Sequence, residues 1–275
     1  MRWARLKRPT RAKASATSSH SVPAERLVGR AVFDARELGS WYPPVLLGPG
    51  TLGTLATSSD TLRQAIDVLE RLESDEYIRY LLAYYREGLQ RFGDVWRYAD
   101  IVTVLIAAAQ LLRPASYLEI GVRRGRSMAV VAQACPECEA IGFDLWTGDY
   151  AGMANPGPAF VRAEMRKVGH TGRLELISGN SHVTLPAYFE AHPDAFFDLI
   201  TVDGDHSEAG AERDLGELLP RLKIGGVIVF DDICHPQHPY LQRVWNRAVA
   251  SDPRLAAWEF SELGYGVAFA IRRQA

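Results

Sequence analysis

The sequence predicts an α/β fold of the doubly wound, Rossmann-like kind. The expected sheet has seven strands with an antiparallel last strand, and a helical N-terminal extension precedes it. Three observations carry this reading. Beyond Pro114, short apolar runs alternate with helical stretches, as they do in a parallel sheet with crossover helices. The first run opens into a glycine-rich turn, Gly121-x-x-x-Gly125. The chain closes on two apolar runs around Gly264-Tyr265-Gly266, a hairpin pattern that makes the last strand antiparallel to its partner.

The elements follow in order. Residues 1–22 are basic, then rich in Ser, Ala and Thr, with no sustained apolar period; they read as a disordered tail. Functional readings of that tail are an organelle transit peptide, or an arm touching nucleic acid or membrane. Residues 23–57 carry turn and extended-chain signals, Trp41-Tyr42-Pro43-Pro44 and Gly48-Pro49-Gly50. Ser58 or Ser59 caps a helix with Leu62, Ala65, Ile66, Leu69 and Leu72 on its apolar face. Ser74 caps a second helix, with Ile78, Leu81, Leu82, Tyr85 and Leu89 on one stripe and Gly93 as its stop. A third runs from about Tyr98 to Leu112, where Pro114 ends it. The strands are Tyr117–Ile120, Ala140–Phe143, Leu174–Ile177, Phe197–Val202 and Val227–Phe230, then the hairpin arms Trp258–Leu263 and Val267–Ile271. The expected division is a tail over 1–22, a helical extension over 23–94 and the sheet domain over 95–275.

Composition excludes several classes. With 47% hydrophobic and 23% charged residues, the chain is neither wholly disordered nor a membrane bundle. Its longest strongly apolar stretch, Ile101–Leu112, is short of the roughly 20 residues a bilayer requires. Three cysteines suit a reducing compartment, so a cytoplasmic location is expected. The net charge is −2, yet residues 1–13 hold six basic residues and no acid. The rest is therefore acidic, which gives no support to nucleic-acid binding.

The glycine-rich turn after the first strand suits a nucleotide, because glycines admit a ligand close to the backbone and the following helix offers free N–H groups. Its spacing is not the G-x-G-x-x-G of dinucleotide sites, and no P-loop Lys-Ser/Thr follows. Glu119, two positions before Gly121, suits an ammonium group better than a pyrophosphate. Asp144 ends the second strand, 23 residues after Gly121, where an acid accepts ribose hydroxyls. An acid for an ammonium, an acid for a ribose and no phosphate clamp together describe S-adenosylmethionine (SAM).

These segments resemble the class I SAM-dependent methyltransferases. The matching stretches are Leu118-Glu119-Ile-Gly121-x-x-x-Gly125, Gly142-Phe143-Asp144, Gly179-Asn180-Ser181, Phe197 to His206 and Leu222 to Asp232, covering about residues 95–271. The resemblance implies that Glu119 and Gly121 lie near the methionine moiety, with Gly125 and Ser127 completing the turn. It implies that Asp144 holds the ribose, and that Ser181 with Leu145 or Trp146 borders the adenine.

Four acids, Asp203, Asp205, Asp231 and Asp232, end the fourth and fifth strands. Gathered carboxylates repel one another unless a cation joins them or some are protonated. Oxygen ligands favour Mg²⁺ over zinc. A divalent cation chelating two vicinal oxygens lowers the pKa of an acceptor hydroxyl and fixes its direction of attack. This acidic pattern resembles the metal-dependent macrocin and aminocoumarin sugar O-methyltransferases and the cephalosporin-hydroxylase-like group. That resemblance implies Asp205, Asp231 and Asp232 as metal ligands, with Asp203 at the cofactor or metal margin; the simpler catechol-type pattern favours Asp203. Asp205 and His206 are the candidate catalytic residues. His206 could act as general base, orient a carboxylate or face solvent.

The expected protein is then a SAM- and Mg²⁺-dependent O-methyltransferase acting on a hydroxylated small molecule, such as a natural-product sugar, without nucleic acid or membrane as partner. The helices of residues 58–93 are open to two roles, a lid or a homo-oligomer surface. The loop of residues 146–157, with Trp146, Tyr150 and Met153, is placed to cover the site. Cys135-Pro-Glu-Cys138 lacks a second pair and reads as ordinary thiols, and His235 and His238 read as incidental members of a Pro-rich loop. Two alternatives stand beside this reading: a cephalosporin-hydroxylase-like or other small-molecule-modifying enzyme on the same fold, and a non-catalytic SAM-fold protein binding a partner through its helices.

Overall fold

Seven short apolar segments pair into one sheet of order β3-β2-β1-β4-β5-β7-β6. They are β1 (Ser116–Ile120), β2 (Glu139–Asp144), β3 (Leu174–Ser178), β4 (Phe197–Val202), β5 (Leu222–Asp231), β6 (Leu255–Phe260) and β7 (Val267–Arg272). β1 to β5 are parallel, and β7 runs antiparallel between β5 and β6. The structure is a computed structural model that describes residues 27–33, 44–148 and 154–274. The expectations for residues 1–22 and for Trp41, Tyr42, Tyr150 and Met153 lie outside the described residues.

The strand order changes direction between β1 and β4. Turns after β1, β2, β4 and β5 therefore meet at one edge, where open α/β sheets form their ligand crevice. Both faces of the sheet are buried. Tyr117 belongs to one core with Met128, Leu199, Val229 and Phe269. Leu118, Ile120, Ile200, Phe230 and Trp245 belong to the other. Alternation along β1 thus sends Tyr117 and Glu119 to one face and Leu118 and Ile120 to the opposite one.

Nine α-helices are found among the described residues. α1 (Pro49–Ala56), α2 (Ser59–Leu69), α3 (Glu76–Phe92) and α4 (Ile101–Leu112) precede the sheet. α5 (Arg126–Ala134), α6 (Pro158–Lys167), α7 (Ser181–Ala191), α8 (Glu208–Leu218) and α9 (Leu241–Trp245) lie between strands. Ser58 caps α2 through Thr61 N at 3.2 Å. Asp75, rather than Ser74, caps α3, accepting from Ile78 N at 2.7 Å. The expected start of α4 at Tyr98 moves to Ile101, because Asp100 and Thr103 form a capping box. Tyr98 instead packs in an aromatic group with Tyr84, Trp96 and Phe260.

α1 replaces the turn expected at Gly48-Pro49-Gly50. Pro49 occupies the first helical turn, where its fixed φ is favourable and its missing N–H costs nothing. Gly53 is required there by packing, since a Cβ at that position would sit 2.4 Å from the Trp258 indole. Leu62, Ala65 and Leu69 of α2 are fully buried in the core that holds Val229 and Phe269 of the sheet. Each such leucine contributes about 1.5–3 kcal/mol. The N-terminal helices therefore share the hydrophobic core of the sheet. No helix among the described residues is long and apolar enough to cross a membrane.

Candidate active site

A cavity of about 1320 Å³ opens at the carboxyl ends of β1, β2, β4 and β5. Pockets for one small ligand span roughly 300–1,000 Å³, so this one has room for a cofactor and an acceptor together. One wall is the turn after β1. Gly121 has φ +89, and a Cβ there would lie 1.8 Å from the Asp203 carbonyl oxygen. Only glycine lets the turns after β1 and β4 close on each other at this point.

Asp144 secures the next wall. Its Oδ2 accepts from Arg123 N at 2.6 Å. Its Oδ1 accepts from Trp146 N and from Asn155 Nδ2, the latter at 3.3 Å. The carboxylate thus ties the β1 turn to the β2 turn while lining the cavity. Leu145, 64% exposed, also lines the cavity. Trp146 does not; its indole N–H donates to Ser178 Oγ at 2.9 Å, and its ring packs against the hydrophobic core. Ser181 lines the cavity with its hydroxyl committed to Asp214 Oδ1 at 3.0 Å. Gly125 and Ser127 lie where the turn enters α5.

Glu119 is fully buried beneath this wall and does not line the cavity. It accepts from Tyr117 Oη at 2.6 Å and from Ser127 Oγ. Burial pushes its carboxyl up to about 8, against the pull of those two hydrogen bonds. Glu119 is therefore protonated at neutral pH and acts as a neutral link between β1 and α5, not as a charged partner for an ammonium group.

The acidic edge gathers a different trio from the one expected. One ligand atom each from Asp203, His206 and Asp232 lie within 4.8 Å of one another. His206 Nε2 is 3.2 Å from Asp203 Oδ1 and 3.7 Å from Asp232 Oδ2. Asp232 holds a left-handed backbone, φ +62, which aspartate tolerates better than most residues. Burial, reinforced by Asp203, pushes the Asp232 carboxyl up to about 7. Asp231 is raised well above the usual carboxylate range by burial, then by Asp232 and Asp203. For His206, burial works downward, but the hydrogen bond and charge of Asp203, with Asp232 and Asp205, leave its pKa raised.

Asp205 is directed elsewhere. Its Oδ1 accepts from Ser207 N at 2.8 Å at the start of α8, and its Oδ2 is 3.8 Å from His182 Nε2. Its carboxyl occupies the space a Cβ on Gly210 would need. The Ser207 N–H at the start of α8 thus holds the Asp205 side chain away from the trio.

Residues 118–233 match the sequence model of a family described as Methyltransferase domain. That stretch, less than half of the chain, is similar to a methyltransferase domain. The matched stretch runs from β1 to the residue after Asp232 and so contains every candidate site residue above. No relative of curated function matches at the sequence level. Among solved structures, the chain is similar to cofactor-bound Rv0187 from MTB, with 18% identity, 78% of this chain and 91% of that chain covered, and a TM-score of 0.53. It is also similar to the O-methyltransferase TomG from Streptomyces achromogenes, involved in tomaymycin synthesis and solved with SAM. There identity is 21%, coverage 74% of this chain and 92% of that chain, and the TM-score 0.52. At these identities the likeness is one of fold.

Further residues line the cavity. Tyr77, Tyr80 and Tyr84 of α3 form a stacked row along the cavity, with centroid spacings of 6.4 and 6.1 Å. In the sequence these aromatics suit a bulky acceptor, although helix packing explains most of them without one. His235 and His238 also line the cavity. The His238 ring is 5.3 Å from that of His206 and 4.8 Å from that of His235. Arg123 and Arg124 of the β1 turn and Arg126 at the start of α5 also line the cavity.

Proposed function

We propose that the protein is a SAM-dependent O-methyltransferase, assisted by a divalent cation, that acts on a hydroxyl of a small molecule bearing a neighbouring oxygen, such as a natural-product sugar. The observation that carries this reading is the Asp203–His206–Asp232 trio opening into the same cavity as the Gly121 turn and Asp144. TomG, a fold neighbour solved with SAM, is itself an O-methyltransferase. The reading places the protein in the reducing cytoplasm, in keeping with three free cysteines.

Two cofactors are implied, and the residues present fit both. Asp144 retains acceptor capacity on Oδ2 for a ribose hydroxyl, while Leu145 offers an apolar face to a purine. Bound SAM supplies an electrophilic methyl group on a sulfonium. Buried carboxylates that resist ionisation when gathered fit a bound dication. Asp203, His206 and Asp232 would hold it, with Asp231 adding charge; Asp203 takes the place first expected for Asp205. The two carboxylates suit Mg²⁺ or Mn²⁺, and the imidazole, a donor that Mg²⁺ disfavours, weights the choice toward Mn²⁺. The cation's charge lowers the pKa of an acceptor hydroxyl.

The chain's own residues do the rest. The tyrosine row on α3 covers the acceptor and excludes water. The Gly121 turn lets the cofactor lie against the backbone. With His206 turned to the two carboxylates, His238, which lines the same cavity, would take the hydroxyl proton. The new C–O bond forms as the C–S bond breaks, and the electron pair stays on sulfur. Transfer of labelled methyl from SAM to vicinal-diol acceptors, in Mg²⁺, Mn²⁺ or EDTA, tests this. The expected result is turnover with the metal, loss in EDTA and recovery on re-addition. EDTA-insensitive transfer sinks the metal role, and absence of SAM binding sinks the enzyme class.

A further inference from the structure

Arg126 has no part in the chemistry above, yet it is the first residue of α5, lines the cavity and is only 14% exposed in its side chain. Its guanidinium lies 4.3 Å from the centroid of the Tyr77 ring. Among the described residues the one carboxylate within ion-pair distance is that of Asp75, at 3.9 Å from Nη1, with Asp203 acting from farther away. The Asp75 carboxylate is already engaged: Oδ2 is 2.9 Å from Arg124 Nε, and Oδ1 accepts from Ile78 N. Arg126 Nη1 is buried without a hydrogen-bond partner. A buried donor left in this state calls for an acceptor.

The surroundings sharpen the demand. A cation in the first turn of a helix sits at the positive end of its dipole. No side chain caps α5. The Ser127 hydroxyl next to Arg126 donates to Glu119, which itself lies behind the wall. Burial lowers the Arg126 pKa, as expected for a charge without a matched counter-ion. An oxyanion entering the cavity beside the β1 turn would relieve all of these at once.

The cofactor reading supplies one such group. SAM ends in an amino acid, and its carboxylate is its only anionic group. We propose that Arg126 is the cavity's anchor for the carboxylate of the methionine moiety, an inference that rests on the SAM reading. A planar guanidinium with paired donors matches a carboxylate, whereas the tyrosine row beside it offers only rings and hydroxyls.

The test compares SAM with decarboxylated SAM, two ligands that differ only in this group, by calorimetry against the wild type, Arg126→Gln and Arg126→Lys. The wild type should prefer SAM. Arg126→Gln should lose roughly ten- to a hundredfold in SAM affinity and about twofold or less for the decarboxylated ligand. Arg126→Lys keeps the charge without the fork and should retain part of the preference, which also guards against a misfolded Gln variant. Equal losses for both ligands, or none for either, overturn the proposal and leave Arg126 as a packing partner of Tyr77. A wild type that binds neither ligand overturns the SAM reading, and the inference falls with it.

Discussion

Replacing Glu119 by Gln should stabilise the protein in alkaline buffer, and by an amount the structure sets. The carboxyl is fully buried, and its pKa rises from 4.5 to about 8. A carboxyl whose folded-state pKa is raised favours folding fully below its unfolded value. That contribution is lost as pH climbs through the folded value. The window here runs from pH 4.5 to about 8. At about 1.4 kcal/mol per pH unit, the complete loss is on the order of 5 kcal/mol. Gln keeps the shape, cannot ionise, and still meets Tyr117 and Ser127 as donor and acceptor. Urea unfolding of both proteins at pH 4.5, 7 and 9 provides the assay. The variant should be close to wild type or slightly weaker at pH 4.5, and more stable by several kcal/mol at pH 9. A constant difference across the three pH values would refute the neutral, buried state of Glu119.

Further outcomes follow from the same geometry. Asp203→Asn and Asp232→Asn should each remove cation-dependent turnover while leaving SAM affinity within about threefold, read by calorimetry beside a turnover assay; joint loss of both would make the trio structural. Gly121→Ala should destabilise by at least about 2 kcal/mol, because its Cβ meets the Asp203 backbone, and a thermal melt checks this. Asp198→Ala should cost about 3–5 kcal/mol in chemical unfolding. It strands Lys223, 3.0 Å away, and frees the N–H groups of Ala115 and Ser116 at the start of β1.

Much of the fold is legible in the sequence because parallel strands are buried on both faces and read as continuous apolar runs. Phe197–Val202 is found as expected, and the Gly264–Gly266 turn joins two antiparallel strands. α1 escaped because Gly-Pro-Gly signals a turn until Trp258, some 200 residues away, is known to press on Gly53. The site is legible only where alternation reaches. Glu119 shares the face of Tyr117 in a strand buried on both sides, so its removal from the cavity was present in the period-two pattern. Asp203 and Asp205 lie beyond the end of β4, where no period applies. Their directions are decided by Ser207 and His182 for one and by His206 for the other, contacts made by the tertiary fold. Trp146 is decided in the same way, since its hydrogen bond to Ser178 links the ends of β2 and β3.

Calorimetry of S-adenosylhomocysteine binding, on the wild type and on Asp144→Ala in EDTA, tests the central claim most directly. The cavity read here should bind one equivalent without metal, and the variant should lose roughly ten- to a hundredfold in affinity as a charge-assisted contact to the ribose disappears. No binding by the wild type, or undiminished binding by the variant, would contradict the account.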